Sequence, residues 1–482
     1  MAVVNYRFQI QAIVVLWGVL AISGCATNPV SGKYDLVLMS EEQEIEMGVQ
    51  NHALIMKRYS EYDHPALQRY VENLGQKLAA ESHRDHLEYR FTLLDSPEVN
   101  AFALPGGYIY ITRGIMAYMN SEEELAGVLG HEIGHVTARH GVRQHGAQAA
   151  AGLAGLIAAM ATGSRSIAQA SGQVGDALVL GYGRSHELEA DRLGAEYLAR
   201  ADYDPAMMLK VIGILKDQEE FERQRAREEG RPARVYHGVF STHPRNDRRL
   251  QEVVRAAQRL KHGNARKTDP EDFLRLMDNV TFGDSEQQGI VRSNRFYHKG
   301  LDFTLVFPEG WRIDNRPAQL VAVRPDHEAA MVVSLDTLPK GESPARYVHR
   351  RFTSLGNGQP LQGNRGYTGI ARGQTPFGYG SFRVIAVTHG EHVLLVTGFS
   401  RDPGADRAFL ETAESTRHLK PGEQRYAAAR RIKLVRARSG DTFSRLAVQT
   451  DIGKYAVDRL RLLNGMYPDG EPVPGQLVKI IQ

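Results

Sequence analysis

The chain has 482 residues, too many for one ordinary core, so several domains are expected. Hydrophobic residues make up 42% and charged residues 24%, the balance of a folded chain rather than a disordered one. A formal net charge of only +3 excludes a dedicated nucleic-acid binder, which carries a strong basic excess.

Residues 8–24 read FQIQAIVVLWGVLAISG, with an apolar core at Ala12–Ile22. That core is shorter than a membrane span and has the length of a signal-peptide h-region. The only cysteine, Cys25, follows directly in ISGC, which resembles a bacterial lipobox. The resemblance implies removal of residues 1–24 and lipidation of Cys25. Ala26 follows the cysteine where an aspartate would mark inner-membrane retention, so the outer membrane is expected, with the protein facing the periplasm. With its thiol lipidated, the mature chain needs no disulfide even in an oxidising compartment.

Residues 25–40 read as a tether. Ser40 with Gln43 fits a capping box, and helical patterns run through 41–80. Residues 89–116 read as strand, turn, strand, broken at Pro105-Gly106-Gly107. Ser121 with Glu124 opens a further helix whose buried stripe is Leu125, Val128 and Leu129. Residues 147–161 are apolar but short and predict a buried helix near the site. Residues 216–234 mix Glu and Arg and predict a solvated helix and loop.

After a connector at 266–294 the texture turns to β. Leu301, Phe303, Leu305 and Phe307 alternate, and 383–400 reads as a hairpin around Gly390. Residues 402–419 are predicted helical, with Phe409 and Ala413 on one face. The stretch 425–440 is basic, and either touches anionic envelope polymers or is a solvated linker. The last residues run strand, helix, helix, strand, with a C-cap at Asn464-Gly465. This order, with SGDTF, LLNG and PGQLVKI, resembles a LysM peptidoglycan-binding module over 433–481.

The chemistry gathers in VLGHEIGHVTARH, residues 128–140. Positions i and i+4 share a helix face, so His131 and His135 can hold one metal ion. Glu132, one step round, is placed to act as general base on a water rather than as a ligand. Ala138 and Gly141 stand where the metzincin continuation needs Gly and His, so that class is excluded. His140 and His145 fall on other faces and are read as solvated. A third ligand is expected from GRSHELEADRLGAEYLA at 183–199, where Glu187 and Asp191 lie four apart. One acid can ligate while the other supports a ligand histidine.

HEIGH and ELEAD, with NAFALPGG upstream and STHPRNDRRL downstream, resemble metallopeptidase family M48 over roughly residues 30–260. This is the gluzincin group that includes the HtpX-like and CAAX-prenyl proteases. The resemblance implies one Zn2+ per chain on His131, His135 and Glu187, with Glu132 as catalytic base. It makes Asp191 the partner of a ligand histidine and Glu189 a variable position. His243 and Arg249 become candidates for stabilising the oxyanion, or His243 takes the fourth zinc position and holds the enzyme latent. A strand edge over Asn100, Ala101, Phe102, Ala103, Gly106 and Gly107 could pair with an extended polypeptide; the plainer reading of ALPGG is a turn.

The expectation is therefore an α+β chain. A mainly helical zinc metalloprotease domain spans 41–265, a β-rich domain 295–420 and a βααβ LysM-like module 431–482. The expected function is an endopeptidase of unfolded or misassembled envelope proteins, anchored by lipid to the outer membrane and touching peptidoglycan through its tail. The alternatives are a peptidoglycan peptide hydrolase and a non-enzymatic wall-binding chaperone or scaffold.

Overall fold

The computed structural model describes residues 25–27, 30, 34–36, 39–144, 183–230, 254–255, 257–259, 268–361 and 365–482. Helices and sheets are mixed, and the chain divides into two compact units, residues 1–280 with 432–482, and residues 281–431.

In the first unit, β1 (Cys25–Thr27) pairs antiparallel with β2 (Tyr34–Leu36). Helix α1 (Glu41–Arg58) opens on the Ser40–Gln43 capping box, with both reciprocal hydrogen bonds formed. The helical patterns of 41–80 are two helices. Tyr59 is extended, and α2 (Pro65–Ala79) restarts after His64, which Pro65 keeps out of the helical region.

The expected strand–turn–strand is three strands: β3 (Arg90–Leu94), β4 (Ala101–Leu104) and β5 (Tyr108–Thr112). β3 runs parallel to β5, and β4 pairs antiparallel on its other side through the Pro105–Gly107 turn. Gly106 has φ +78, and a Cβ there would lie 2.9 Å from the Ile45 Cα, so this turn is clamped under α1. Among the described residues β4 is an edge strand of this sheet.

After α3 (Arg113–Tyr118), helix α4 (Glu122–Thr137) is capped by Ser121, whose side chain accepts from Glu124 N. The expected box is incomplete, because the Glu124 carboxylate reaches the backbone N–H of Asn120 instead, at 2.6 Å. α5 (Arg184–Arg200), α6 (Met207–Glu228) and α7 (Pro270–Met277) follow.

The second unit contains β6 (Thr281–Phe282), a small sheet of β7 (Ile290–Arg292), β8 (Arg295–His298) and β9 (Phe303–Val306), and one large antiparallel sheet. The large sheet is built from β10 (Arg312–Arg316), β11 (Gln319–Val323), β12 (Ala329–Thr337), β13 (Gly356–Pro360), β14 (Gly366–Thr375), β15 (Gly378–His389) and β16 (His392–Ser400). Its strand order is β10-β11-β12-β16-β15-β14-β13. The hairpin expected around Gly390 is β15–β16. Its strands are apolar on both sides because both faces are covered. Ile385 and Val387 pack with Phe409 and Ala413 of α9 (Asp406–Glu414), whereas Val384 and Ala386 pack with Tyr347 and Val348 of α8 (Pro344–Arg351).

The chain returns to the first unit along β17 (Arg430–Arg436), then α10 (Phe443–Ala447), α11 (Ala456–Leu463) and β18 (Leu477–Ile481), which pairs antiparallel with β17. The basic stretch at 425–440 is therefore strand over Arg430–Arg436, with Arg436 paired to Glu271. This βααβ segment packs on α6, where Phe221 meets the rings of Tyr455 and Tyr467, and the Tyr467 hydroxyl donates to Gln224 at 2.9 Å. The described part of 216–234 is consequently not simply a solvated helix. Phe221, Glu222 and Ala226 are buried. The apolar stretch at 147–161 lies outside the described residues.

Candidate metal centre

Helices α4 and α5 approach closely because their facing positions are small. A Cβ on Gly134 would lie 2.8 Å from the Ala190 carbonyl oxygen, and one on Gly194 would lie 2.9 Å from His131 N. Gly130 meets the same seam at Gly194. A larger residue at any of these positions would push the helices apart, so the glycines of GHEIGH and the Ala and Gly of EADRLG bring ligand-type residues of both helices together.

His131, His135 and Glu187 each present a ligand atom, all within 4.8 Å of one another. The two Nε2 atoms are 3.0 Å apart, and each lies 3.6 Å from a Glu187 carboxylate oxygen. Tetrahedral zinc with bonds of about 2.1 Å would hold two ligand atoms about 3.4 Å apart, so the spacing fits with small adjustment. On the far side of the first ring, His131 Nδ1 lies 2.9 Å from Asp191 Oδ1. An ionised carboxylate only accepts, which puts the ring proton on Nδ1 and leaves the Nε2 lone pair facing the cluster.

The electrostatics ask for a cation. Burial works against charge on His131, but hydrogen bonds to Asp191 and Glu187 and their negative charge outweigh it, holding its pKa well above the usual imidazole value. A divalent ion on two imidazole nitrogens and a carboxylate meets that demand, and this donor set suits zinc. Glu132 is 2% exposed on the next step of α4.

His140 is a correction to the sequence reading. It is fully buried, not solvated, and its Nδ1 lies 2.9 Å from His135 Nδ1. Its Nε2 lies 3.1 Å from Glu189 Oε2, and Arg143 donates to the same oxygen at 2.8 Å. Burial opposes ionisation of Glu189, yet hydrogen bonds from His140 and Arg143 and their charge bring its pKa down to about 2. Burial dominates for His140 and lowers its pKa; it also takes the stacked His186 down to about 4. Glu189 is thus ionised.

The base of α4 is held by a charged cluster that sequence reasoning missed. Arg84, with no exposed surface, donates to Glu44 at 2.9 Å and to the carbonyl of Val136 at 3.0 Å. Arg139 donates to the same Glu44 carboxylate at 2.8 Å. At the same end the Tyr197 hydroxyl ties α5 to Thr137, at 2.9 Å.

With this geometry in hand, the family model described as "Peptidase family M48" matches residues 65–257. The chain carries a domain of peptidase family M48. Within that M48 domain lie both helices of the cluster. A beta-barrel assembly-enhancing protease of Yersinia pestis is 31% identical over 218 residues, covering 43% of this chain and 42% of that protein. Its namesake in Escherichia coli K12 is 32% identical over 208 residues, covering 41% and 40%. The mitochondrial metalloendopeptidase OMA1 of Schizosaccharomyces pombe is 26% identical over 257 residues, covering 51% of this chain and 71% of its own length. The matched part thus spans well under half the length of the assembly-enhancing relatives.

The remaining candidates divide. Asn100–Ala103 fall at and on edge strand β4, which packs against α4. Gly106 and Gly107 are buried in the turn that follows, Gly106 against Ile45 and Gly107 against the Glu88 carbonyl. His243 and Arg249 lie outside the described residues.

Proposed function

We propose that this chain is a zinc-dependent endopeptidase that cleaves unfolded or misassembled envelope proteins. The observation that carries the reading is the convergence of His131 Nε2, His135 Nε2 and the Glu187 carboxylate beside buried Glu132. The names of the assembly-enhancing relatives support the substrate class.

His131, His135 and Glu187 would hold the ion, one per chain. When bound, zinc supplies a water of lowered pKa and polarises the scissile carbonyl. Glu132 takes the proton from the attacking water and returns it to the leaving amine. Asp191 keeps the His131 ring turned and in the tautomer that offers Nε2 to the ion. Strand β4 at the sheet edge aligns an extended peptide through its main chain, over Asn100, Ala101, Phe102 and Ala103. His243 and Arg249 are the proposed partners of the oxyanion.

The ISGC lipobox supports a lipid anchor at Cys25, in the outer membrane and facing the periplasm. The βααβ order and the SGDTF, LLNG and PGQLVKI landmarks support a LysM-like tail over 431–482 that touches peptidoglycan. That tail also favours the second reading, a peptidoglycan peptide hydrolase. Purified protein should degrade casein, and Glu132→Gln should abolish this while still binding zinc. Release of muropeptides from sacculi without casein cleavage would favour the second reading. Zinc binding with neither activity would favour a non-enzymatic scaffold.

A further inference from the structure

Helix α4 ends at Thr137, and the chain does not continue its spiral. On an unbroken helix, position i+5 stands about 140° round from position i, so His140 would point away from His135. Arg139 prevents this by adopting φ +55, a left-handed conformation costly for a residue with a long side chain. Its hydrogen bonds to Glu44 at 2.8 Å and to the Met39 carbonyl at 2.9 Å hold the turn in place. The turn swings the His140 ring beneath His135.

The hydrogens along the resulting chain are determined at its far end. Glu189 Oε2 accepts from the Arg143 guanidinium at 2.8 Å and faces His140 Nε2 at 3.1 Å, so this contact places a hydrogen on His140 Nε2 and leaves His140 Nδ1 as an acceptor. The hydrogen between the two Nδ1 atoms, 2.9 Å apart, then belongs to His135. His135 Nε2 is left with its lone pair turned towards His131 and Glu187, as His131 Nε2 is by Asp191.

We propose that His140 and Glu189 are positioning residues that orient His135 for the metal, a second supporting arm that matches Asp191 on His131. The inference rests on the metal-centre reading above. It gives Glu189 a fixed task in a position that the ELEAD motif treats as variable, and it explains why Arg139 is held in a strained turn. Arg143 completes the arm by fixing the Glu189 oxygen that receives the His140 hydrogen.

The test is zinc affinity of the full chain, measured by competition with a chromophoric chelator after removal of metal. Unaltered protein should bind one zinc tightly. His140→Phe, which keeps a ring but loses the acceptor, should bind about 10- to 100-fold more weakly. His140→Asn should recover most of the affinity, because its amide oxygen can accept the His135 hydrogen. Glu189→Met should weaken binding alone, and add little in combination with His140→Phe, since the two act in series. Thermal melting of each metal-free variant reports packing separately. Unchanged affinity in His140→Phe overturns the inference, as does equal weakness in the Phe and Asn variants. If the unaltered chain binds no zinc, the metal-centre reading itself fails; tight binding by every variant removes only this arm.

Discussion

Gly134 of α4 faces the backbone of Ala190 in α5 so closely that a Cβ on Gly134 would lie 3.0 Å from the Ala190 Cα. The neighbour is main chain, so no side chain can swing aside to make room. Gly134→Ala is therefore expected to shift the helices and to destabilise the fold by about 1–3 kcal/mol, despite the better helix propensity of alanine. Because the ligands stand on both helices, zinc affinity should fall as well. Urea unfolding with a metal titration checks both; a variant as stable as the parent and binding zinc equally would show that the seam has slack.

Glu44 is the shared acceptor of Arg84 and Arg139, and neither guanidinium can reach bulk water easily at 0% and 8% exposure. Glu44→Ala leaves buried positive charge with Glu41 as its remaining nearby acid on Arg84, at 2.8 Å. A loss of about 3–5 kcal/mol is expected, read as a lower urea midpoint. The same substitution removes a prop of the Arg139 turn, so metal affinity should drop more than in a surface variant of equal stability.

How much of this was legible in the sequence depends on the range of the contacts. The Ser40 and Ser121 caps, the β15–β16 hairpin and the His131–His135 face depend on neighbours within a few residues, and local pattern suffices for them. The parallel pairing of β3 with β5 is not readable locally, because parallel strands need a crossover and no short-range signal marks one. His140 was misread because periodicity assumes that a helix continues, whereas Arg139 leaves it. The signal was present in the small residues: glycines at 130, 134 and 194 on otherwise good helices mark a close crossing, and a crossing at HEIGH brings whatever follows into the site. Arg84 and Glu44 could not be paired from sequence, since a charge pattern does not reveal which charges are buried.

Metal should also be a folding ligand. Zinc bound only by the native state stabilises it by mass action, about 4 kcal/mol when free metal exceeds its Kd a thousandfold. Strong chelation is expected to lower the melting temperature, and zinc, not magnesium, to restore it. Glu187→Gln should abolish the zinc-dependent increment while leaving the metal-free melt close to the parent's. A melt insensitive to chelator would mean that the cluster holds no metal under those conditions.

The C-terminal segment should give the first unit an alkaline stability optimum. Lys479 is fully buried in β18, and its Nζ donates to the carbonyls of Ala117 at 2.6 Å and Met119 at 2.8 Å, at the end of α3. A neutral amine has two N–H groups and meets two acceptors here. Burial brings the Lys479 pKa down to about 7, only partly opposed by the charge of Glu124, which is itself paired with Lys210. Unfolded, the amine would titrate near its ordinary value of 10.5. Between the two values the unfolded chain binds the extra proton, so stability should rise as pH climbs from about 7 towards 10.5, by at most one proton's slope. Lys479→Met removes this slope. It also leaves two buried carbonyls without their donor, a cost of about 1–3 kcal/mol for each buried group. The two stability curves should therefore cross: the variant matches or exceeds the parent at pH 6, where the parent must bury an ammonium, and falls below it at pH 9. Urea unfolding across that range checks the prediction, and parallel curves would show that Lys479 titrates normally in the folded protein.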